Sequence, residues 1–253
     1  MLKKHLSRNL LVLLYLIVIN SLISGCATQP VWSYVALGDS IPAGYGVGDD
    51  NYVEYFADYI RQDIGVDLTV HNLAISGIVT GRLLDLLRAD PEFRQEVANA
   101  NIITIWIGLN DLFVPLDRYK YERCGGADNL DCLREMVDQT NENIDGILDE
   151  ILALNSSEET RIMIADNGIP SSLILDWKEQ GWFDILKVEA YEAWRDHLVE
   201  AATERGLIVV YSHQVINGTL GDEENEGLYR FDGIHFTEEG HKLIADLHRE
   251  SWE

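Results

Sequence analysis

"VALGDSIPAGYG" (residues 35–46) sets the apolar run Val35-Ala36-Leu37 directly before a Gly-Asp-Ser turn and a loop broken by Pro42, Gly44 and Gly46. The run "YVAL" (34–37) has the make-up of a buried strand, and the proline and glycines behind it exclude a continuing helix. A serine at a strand tip has two readings. It hydrogen-bonds nearby backbone in a surface turn, or it is a nucleophile, which requires a base and an oxyanion site from the rest of the chain.

Outward from this stretch the same grammar repeats. Short apolar runs occur at "LTVHNLA" (68–74), "IITIWI" (102–107), "RIMIAD" (161–166) and "LIVVYS" (207–212). Each is followed by glycine or a polar turn and usually by a stretch with helical spacing, at 52–62, 79–98, 130–154, 185–205 and 237–250. Nearly continuous apolar strands suit a sheet covered on both faces. Alternating strand and helix predicts a mostly parallel five-stranded sheet in a three-layer α/β/α sandwich. One domain over residues 33–253 accommodates all of it, with no internal repeat or low-complexity segment. Phe113–Asp131 and Pro170–Asp184 read as long irregular connections of the kind that shape sites.

Ligands of open α/β sheets gather beyond the carboxyl ends of the strands. Gly38-Asp39-Ser40 follows the first run, Ser76-Gly77 the second, and Gly108-Leu109-Asn110-Asp111 the third. Asp232-Gly233-Ile234-His235 follows the last. A serine hydroxyl needs a base held in one tautomer by a carboxylate, and Asp232 and His235, three residues apart, meet that need within one turn. Donors for the developing oxyanion are available from the backbone N–H groups of Ser40 and Gly77 and from the Asn110 side chain.

Each motif alone is common, but four in this order at strand ends resemble the GDSL/SGNH hydrolase superfamily. The likeness spans residues 33–250. It implies a flavodoxin-like fold and a serine esterase mechanism without metal or organic cofactor. Carried over by position, Ser40 is the nucleophile, His235 the general base and Asp232 its orienting partner, with Ser40, Gly77 and Asn110 forming the oxyanion hole. Pro42 departs from the small residue usual nearby and leaves the role of Ser40 intact. The α/β-hydrolase elbow is excluded, because Gly38-Asp39-Ser40-Ile41-Pro42 lacks the G-x-S-x-G spacing. His235, Glu238, Glu239 and His241 lack metal-ligand spacing, and Thr237 reads instead as the cap of the closing helix. Trp106 reads as core. Trp177 and Trp182 pack against the domain or line a pocket, and Asn72 satisfies a strand-end backbone group or braces the Gly77 turn.

The N-terminus carries an address. Lys3, Lys4 and Arg8 precede the apolar run "LLVLLYLIVI" (10–19), which is short for a membrane span. "LISGC" (22–26) resembles the lipobox of bacterial lipoproteins, with Cys26 as the lipidated residue. Residues 1–25 are then a signal peptide and 26–32 a tether. An uncleaved anchor and an ordinary secretory signal are the alternatives, and each places the domain outside the cytoplasm. Cys124 and Cys132, in a glycine-rich loop of a chain bound for an oxidising compartment, form a disulfide or stay as two buried thiols. The formal net charge of −24 argues against nucleic acid and against electrostatic attachment to anionic lipid, and suits a self-repelling monomer. The chain is therefore expected to be a lipid-anchored ester hydrolase of the bacterial cell envelope acting on a small-molecule, glycan or lipid ester. An acyltransferase or deacetylase of cell-surface glycans, and a catalytically silent glycan- or lipid-binding lipoprotein, are the alternatives.

Overall fold

A computed structural model describes residues 31–252. Five parallel strands form one sheet in the order β2-β1-β3-β4-β5, where β1 is Val31–Gly38, β2 Asp67–Asn72, β3 Ile102–Trp106, β4 Arg161–Ala165 and β5 Ile208–Val210. β1 lies in register with β3, Gly38 opposite Trp106. Its residues Tyr34 to Leu37 are fully buried, because both faces of a central strand are covered. Side chains alternate across the pleat. Val35 and Leu37 join Ile103 and Ile105 in one apolar layer, and Tyr34 and Ala36 join Ile102 and Trp106 in the other. β2 lies at the edge, where Asp67 and Thr69 face solvent between half-buried Leu68 and Val70.

The Tyr34 layer is closed by α1 (Tyr52–Ile64) and by the C-terminal helix. Asn51 caps α1 by accepting from the Val53 and Glu54 N–H groups, and Gly65 ends it in the left-handed conformation. The Val35 layer is closed chiefly by α2 (Thr80–Ala89), α3 (Pro91–Asn99), α4 (Leu109–Lys120) and α5 (Asp131–Leu154). After β4 come α6 (Ser171–Gln180), α7 (Phe183–Leu186), a wider π-helical turn over Lys187–Glu192, and α8 (Ala193–Glu204). α9 (His213–Asn217) and α10 (Glu238–Trp252) follow β5. The Thr237 hydroxyl accepts the Gly240 N–H at 3.2 Å, the cap expected of it.

Three expectations are corrected. The stretch 79–98 is two helices, because Pro91 cannot continue a helix and the Asp90 carboxylate caps a new one at Glu92 and Phe93. Phe113–Asp131 is not irregular throughout. α4 runs to Lys120 around Pro115, held by the buried stripe Leu109, Leu112 and Leu116. Pro170–Asp184 holds α6, whose residues Leu173, Ile174 and Trp177 are buried and whose end is Gly181 at φ 71°. Trp106 and Trp177 are core, and Trp182 packs edge-on against Tyr119 with ring centres 5.4 Å apart.

Candidate active site

The neighbours of β1 are β2 and β3, so the strand order reverses there and a crevice opens at the carboxyl ends of β1 and β3. Gly38 ends β1 at φ 138°, and a Cβ there would lie 1.9 Å from the Trp106 carbonyl oxygen. That oxygen accepts the Asp39 N–H at 3.1 Å, so the turn bearing Ser40 is drawn onto the end of β3. The Asp39 carboxylate, 2% exposed, accepts the Ile41 N–H at 3.0 Å. Burial pushes its pKa up to about 7. Asn72 donates to the Pro42 carbonyl at 2.7 Å. It thereby braces the nucleophile loop, and its side-chain oxygen accepts the Ala74 N–H at 3.2 Å, the expected role of satisfying a backbone group at the end of β2.

Ser40 Oγ lies 3.0 Å from His235 Nε2, across 195 residues of sequence, and His235 Nδ1 lies 2.9 Å from Asp232 Oδ2. A carboxylate can only accept, so Nδ1 carries the proton and Nε2 is left to accept from the serine hydroxyl. The other Asp232 oxygen accepts the N–H groups of Ile234 and His235 at 2.9 and 3.0 Å. Burial raises the Asp232 pKa, but those N–H groups and the imidazole outweigh it and hold the carboxyl below its ordinary range. The loop is pinned from behind. The Gly233 carbonyl accepts the Ser172 N–H at 3.0 Å and the Ser171 hydroxyl at 3.2 Å at the start of α6, and a Cβ on Gly233 would sit 2.7 Å from that of Ser172.

Gly77 lies in the turn after β2, which is tied to the end of β1 by Ile75 N–H donating to the Gly38 carbonyl at 2.9 Å. Asn110, in the first turn of α4, donates from Nδ2 to the Ile78 carbonyl at 3.0 Å. One amide hydrogen is thereby committed and the second remains for another acceptor. The amide caps no helix: Gly108 stands at the cap of α4 and has no side chain to do so. Ser40, Gly77, Asn110, Asp232 and His235 thus share one end of the sheet.

Sequence reasoning passed over Tyr45, whose ring lies on that of His235 at 4.2 Å between centres and whose N–H donates to the Ser40 carbonyl. Phe231, next to Asp232, is 96% exposed. The available signal was an aromatic residue next to each motif, Phe231 directly before Asp232 and Tyr45 in the loop after Ser40. A disulfide joins Cys124, in the loop beyond the far end of α4 from Asn110, to Cys132 in the first turn of α5. Cys26 lies outside the described residues. Among the described residues no cluster of His, Cys, Asp or Glu is arranged to hold a metal ion, and no helix is long and apolar enough to cross a membrane.

The model of the GDSL-like Lipase/Acylhydrolase family matches residues 36–243. A search of curated proteins found no match. Among solved structures, the lipase Lip_vut3 from a goat rumen metagenome superposes with a TM-score of 0.70 at 20% identity, over 87% of this chain and 97% of that one. The psychrotrophic esterase EstA from Pseudoalteromonas sp., inhibited by monoethylphosphonate, gives 0.58 at 17% identity over 87% and 96%. An acetyl xylan esterase from Geobacillus stearothermophilus gives 0.61 at 15% identity over 87% and 94%. At such identities the likeness speaks for the fold. All four motifs fall within the family match, three of them at strand ends and Asp232–His235 not after β5 directly but past α9 in the loop before α10. The chain belongs to the GDSL-like lipase/acylhydrolase family and is a carboxylic-ester hydrolase.

Proposed function

We propose that this hydrolase works in the bacterial cell envelope, tethered by a lipid on Cys26, and cleaves carboxylic esters through an acyl-enzyme on Ser40. The hydrogen-bonded chain Ser40–His235–Asp232, at 3.0 and 2.9 Å, carries the reading. Ser40 Oγ attacks the ester carbonyl while His235 Nε2 takes its proton. Asp232 holds the imidazole in the required tautomer and stabilises the imidazolium that forms. The tetrahedral oxyanion is met by the N–H groups of Ser40 and Gly77 and by the Asn110 amide. His235 then gives its proton to the departing alcohol. Water attacks the acyl-enzyme by the same route and restores the serine. The enzyme acts as a monomer, and its acidic surface turns away nucleic acid and anionic lipid alike.

A second reading, a deacetylase of cell-surface glycans, is favoured by Tyr45, whose exposed ring lies on that of His235, and by exposed Phe231, the chain neighbour of Asp232, since aromatic rings suit the faces of a sugar. A fluorophosphonate probe tests the chemistry: it should label Ser40 in the wild type and leave Ser40→Ala untouched. A folded wild type that resists the probe refutes the acyl-enzyme. Turnover of p-nitrophenyl esters from acetate to palmitate, beside acetylated sugars, separates the two substrate readings. Incorporation of labelled palmitate that Cys26→Ser abolishes tests the anchor.

A further inference from the structure

The turn carrying Gly77 has little packing of its own. Ile75 and Val79 are 44% and 38% exposed, and no atom lies within 4 Å of where a Cβ on Gly77 would stand. Only Ile78 is buried. Its place must therefore be set by hydrogen bonds, and beside the Ile75 N–H bond to the Gly38 carbonyl at 2.9 Å two consecutive residues of α4 supply them. Asn110 binds the Ile78 carbonyl at 3.0 Å. Asp111 accepts the Thr80 N–H at 3.0 and 3.3 Å and the Thr80 hydroxyl at 2.6 Å. Asn143 on α5 donates to the same hydroxyl oxygen at 3.0 Å, which leaves the hydroxyl hydrogen for Asp111.

Thr80, fully buried, is the first residue of α2. Val79 before it has no oxygen with which to cap, and the first turn of α2 contains no acid. The free N–H of Thr80 in that turn, and its positive dipole end, are met instead by a carboxylate from a different helix. Burial raises the Asp111 pKa against the pull of the Thr80 bonds.

We infer that Asp111, acting through Thr80, is a positioning residue that holds the Gly77–Ile78 turn against Asn110 and so fixes the geometry of the oxyanion site. The inference rests on the roles proposed above for Gly77 and Asn110. Donors of this kind work only when they are placed in advance, and displacements well under 1 Å weaken them. The Asp111–Thr80 bond costs nothing at the moment of reaction because the folded protein already holds it.

Thr80→Val and Asp111→Asn test this. The first removes one hydroxyl with little change of shape, and the second keeps the planar outline of the carboxylate while removing its charge. The readouts are kcat, KM, melting temperature and affinity for a boronic acid, whose tetrahedral adduct on Ser40 places an anionic oxygen in the oxyanion site. Both variants should lower kcat on the order of tenfold and weaken the boronate by a similar factor, with KM nearly unchanged. Thr80→Ser, which retains the hydroxyl, should recover both. The double variant should lose less than the product of the two single losses, since both substitutions weaken the same link. A fall in melting temperature with kcat and boronate affinity intact in both folded variants would reduce Asp111 to a helix cap and overturn the inference. If Asp111→Asn does not fold, the comparison of Thr80→Val with Thr80→Ser decides alone. A wild type that neither turns over esters nor binds the boronate fails before any variant is made, and overturns the Ser40 reading together with the inference that rests on it.

Discussion

Replacing Asn110 by alanine separates a catalytic role from a structural one. In the resting protein the amide makes one protein contact, from Nδ2 to the Ile78 carbonyl at 3.0 Å. Losing that bond should cost about 1 kcal/mol of stability, or roughly 2–4 °C in melting temperature for a chain of this size. The second N–H finds its acceptor only when charge develops on the substrate oxygen. Removal of one oxyanion donor costs on the order of 10²–10³ in rate, about 3–4 kcal/mol. The loss should fall on kcat, with KM within about twofold, because the ground-state ester makes little use of the donor. Asn110→Asp sharpens the test. It keeps the outline of the side chain, loses both N–H groups and sets a carboxylate where the oxyanion must form, so its rate should fall at least as far. The assay is steady-state hydrolysis of a short p-nitrophenyl ester beside thermal unfolding of the same preparations. Near-normal kcat in Asn110→Ala with a melting temperature lowered by several degrees would refute the assignment and leave Asn110 as a brace for the Gly77 turn.

Three further outcomes are expected. Ser40→Ala should lose ester turnover while its melting temperature stays within a few degrees of wild type, since a half-buried hydroxyl at a turn contributes little packing; residual turnover after removal of trace wild type would contradict the nucleophile assignment. Asp39 has a folded pKa raised to about 7 by burial, above its unfolded value, so the native state holds its proton more tightly and loses stability as pH rises from about 4 to 7. Asp39→Asn should therefore stabilise the fold by a few kcal/mol at pH 8 and by little at pH 4, read as a melting-temperature difference that shrinks on acidification. His248 has the opposite sign: fully buried, its ring lies 4.9 Å from that of Tyr52, and burial lowers its pKa to about 4. The unfolded chain takes up its proton first, so stability is lost as pH falls from about 6.5 toward 4. His248→Phe should flatten that acid limb by about 3 kcal/mol, and parallel wild-type and variant curves of stability against pH would count against it.

What could be read in the sequence follows from where free energy is gained. β1, β3 and β4 are covered on both faces, so their apolar runs are nearly unbroken and stand out in the chain. β5 reads as longer than it is, because the Asp166 carboxylate accepts the N–H groups of Ser212 and His213 and turns the chain into α9 directly after Val210. The misread connections failed for a related reason. Pro115 hides the stripe Leu109-Leu112-Leu116, and the turn signals Pro170 and Gly181 flank a helix of only 10 residues whose apolar face is closed by Trp177. Within the site, the Asp232–His235 contact is legible because it is local. One carboxylate oxygen folds the turn by accepting two N–H groups, and the other then has no choice but to meet the imidazole three residues on. The Ser40–His235 contact is legible only in part, because Ser40 stands where parallel strands bring their carboxyl ends together while His235 lies past α9 in the loop before α10. No such rule reaches the braces behind these residues. Asn72 on the Pro42 carbonyl, Asn110 on the Ile78 carbonyl and Ser172 on the Gly233 carbonyl all use backbone acceptors, which every residue carries and no sequence marks. The chemistry is written in side-chain identities and can be read in advance, while its precision is set by bonds to anonymous carbonyls and becomes visible only once the loops are folded against one another.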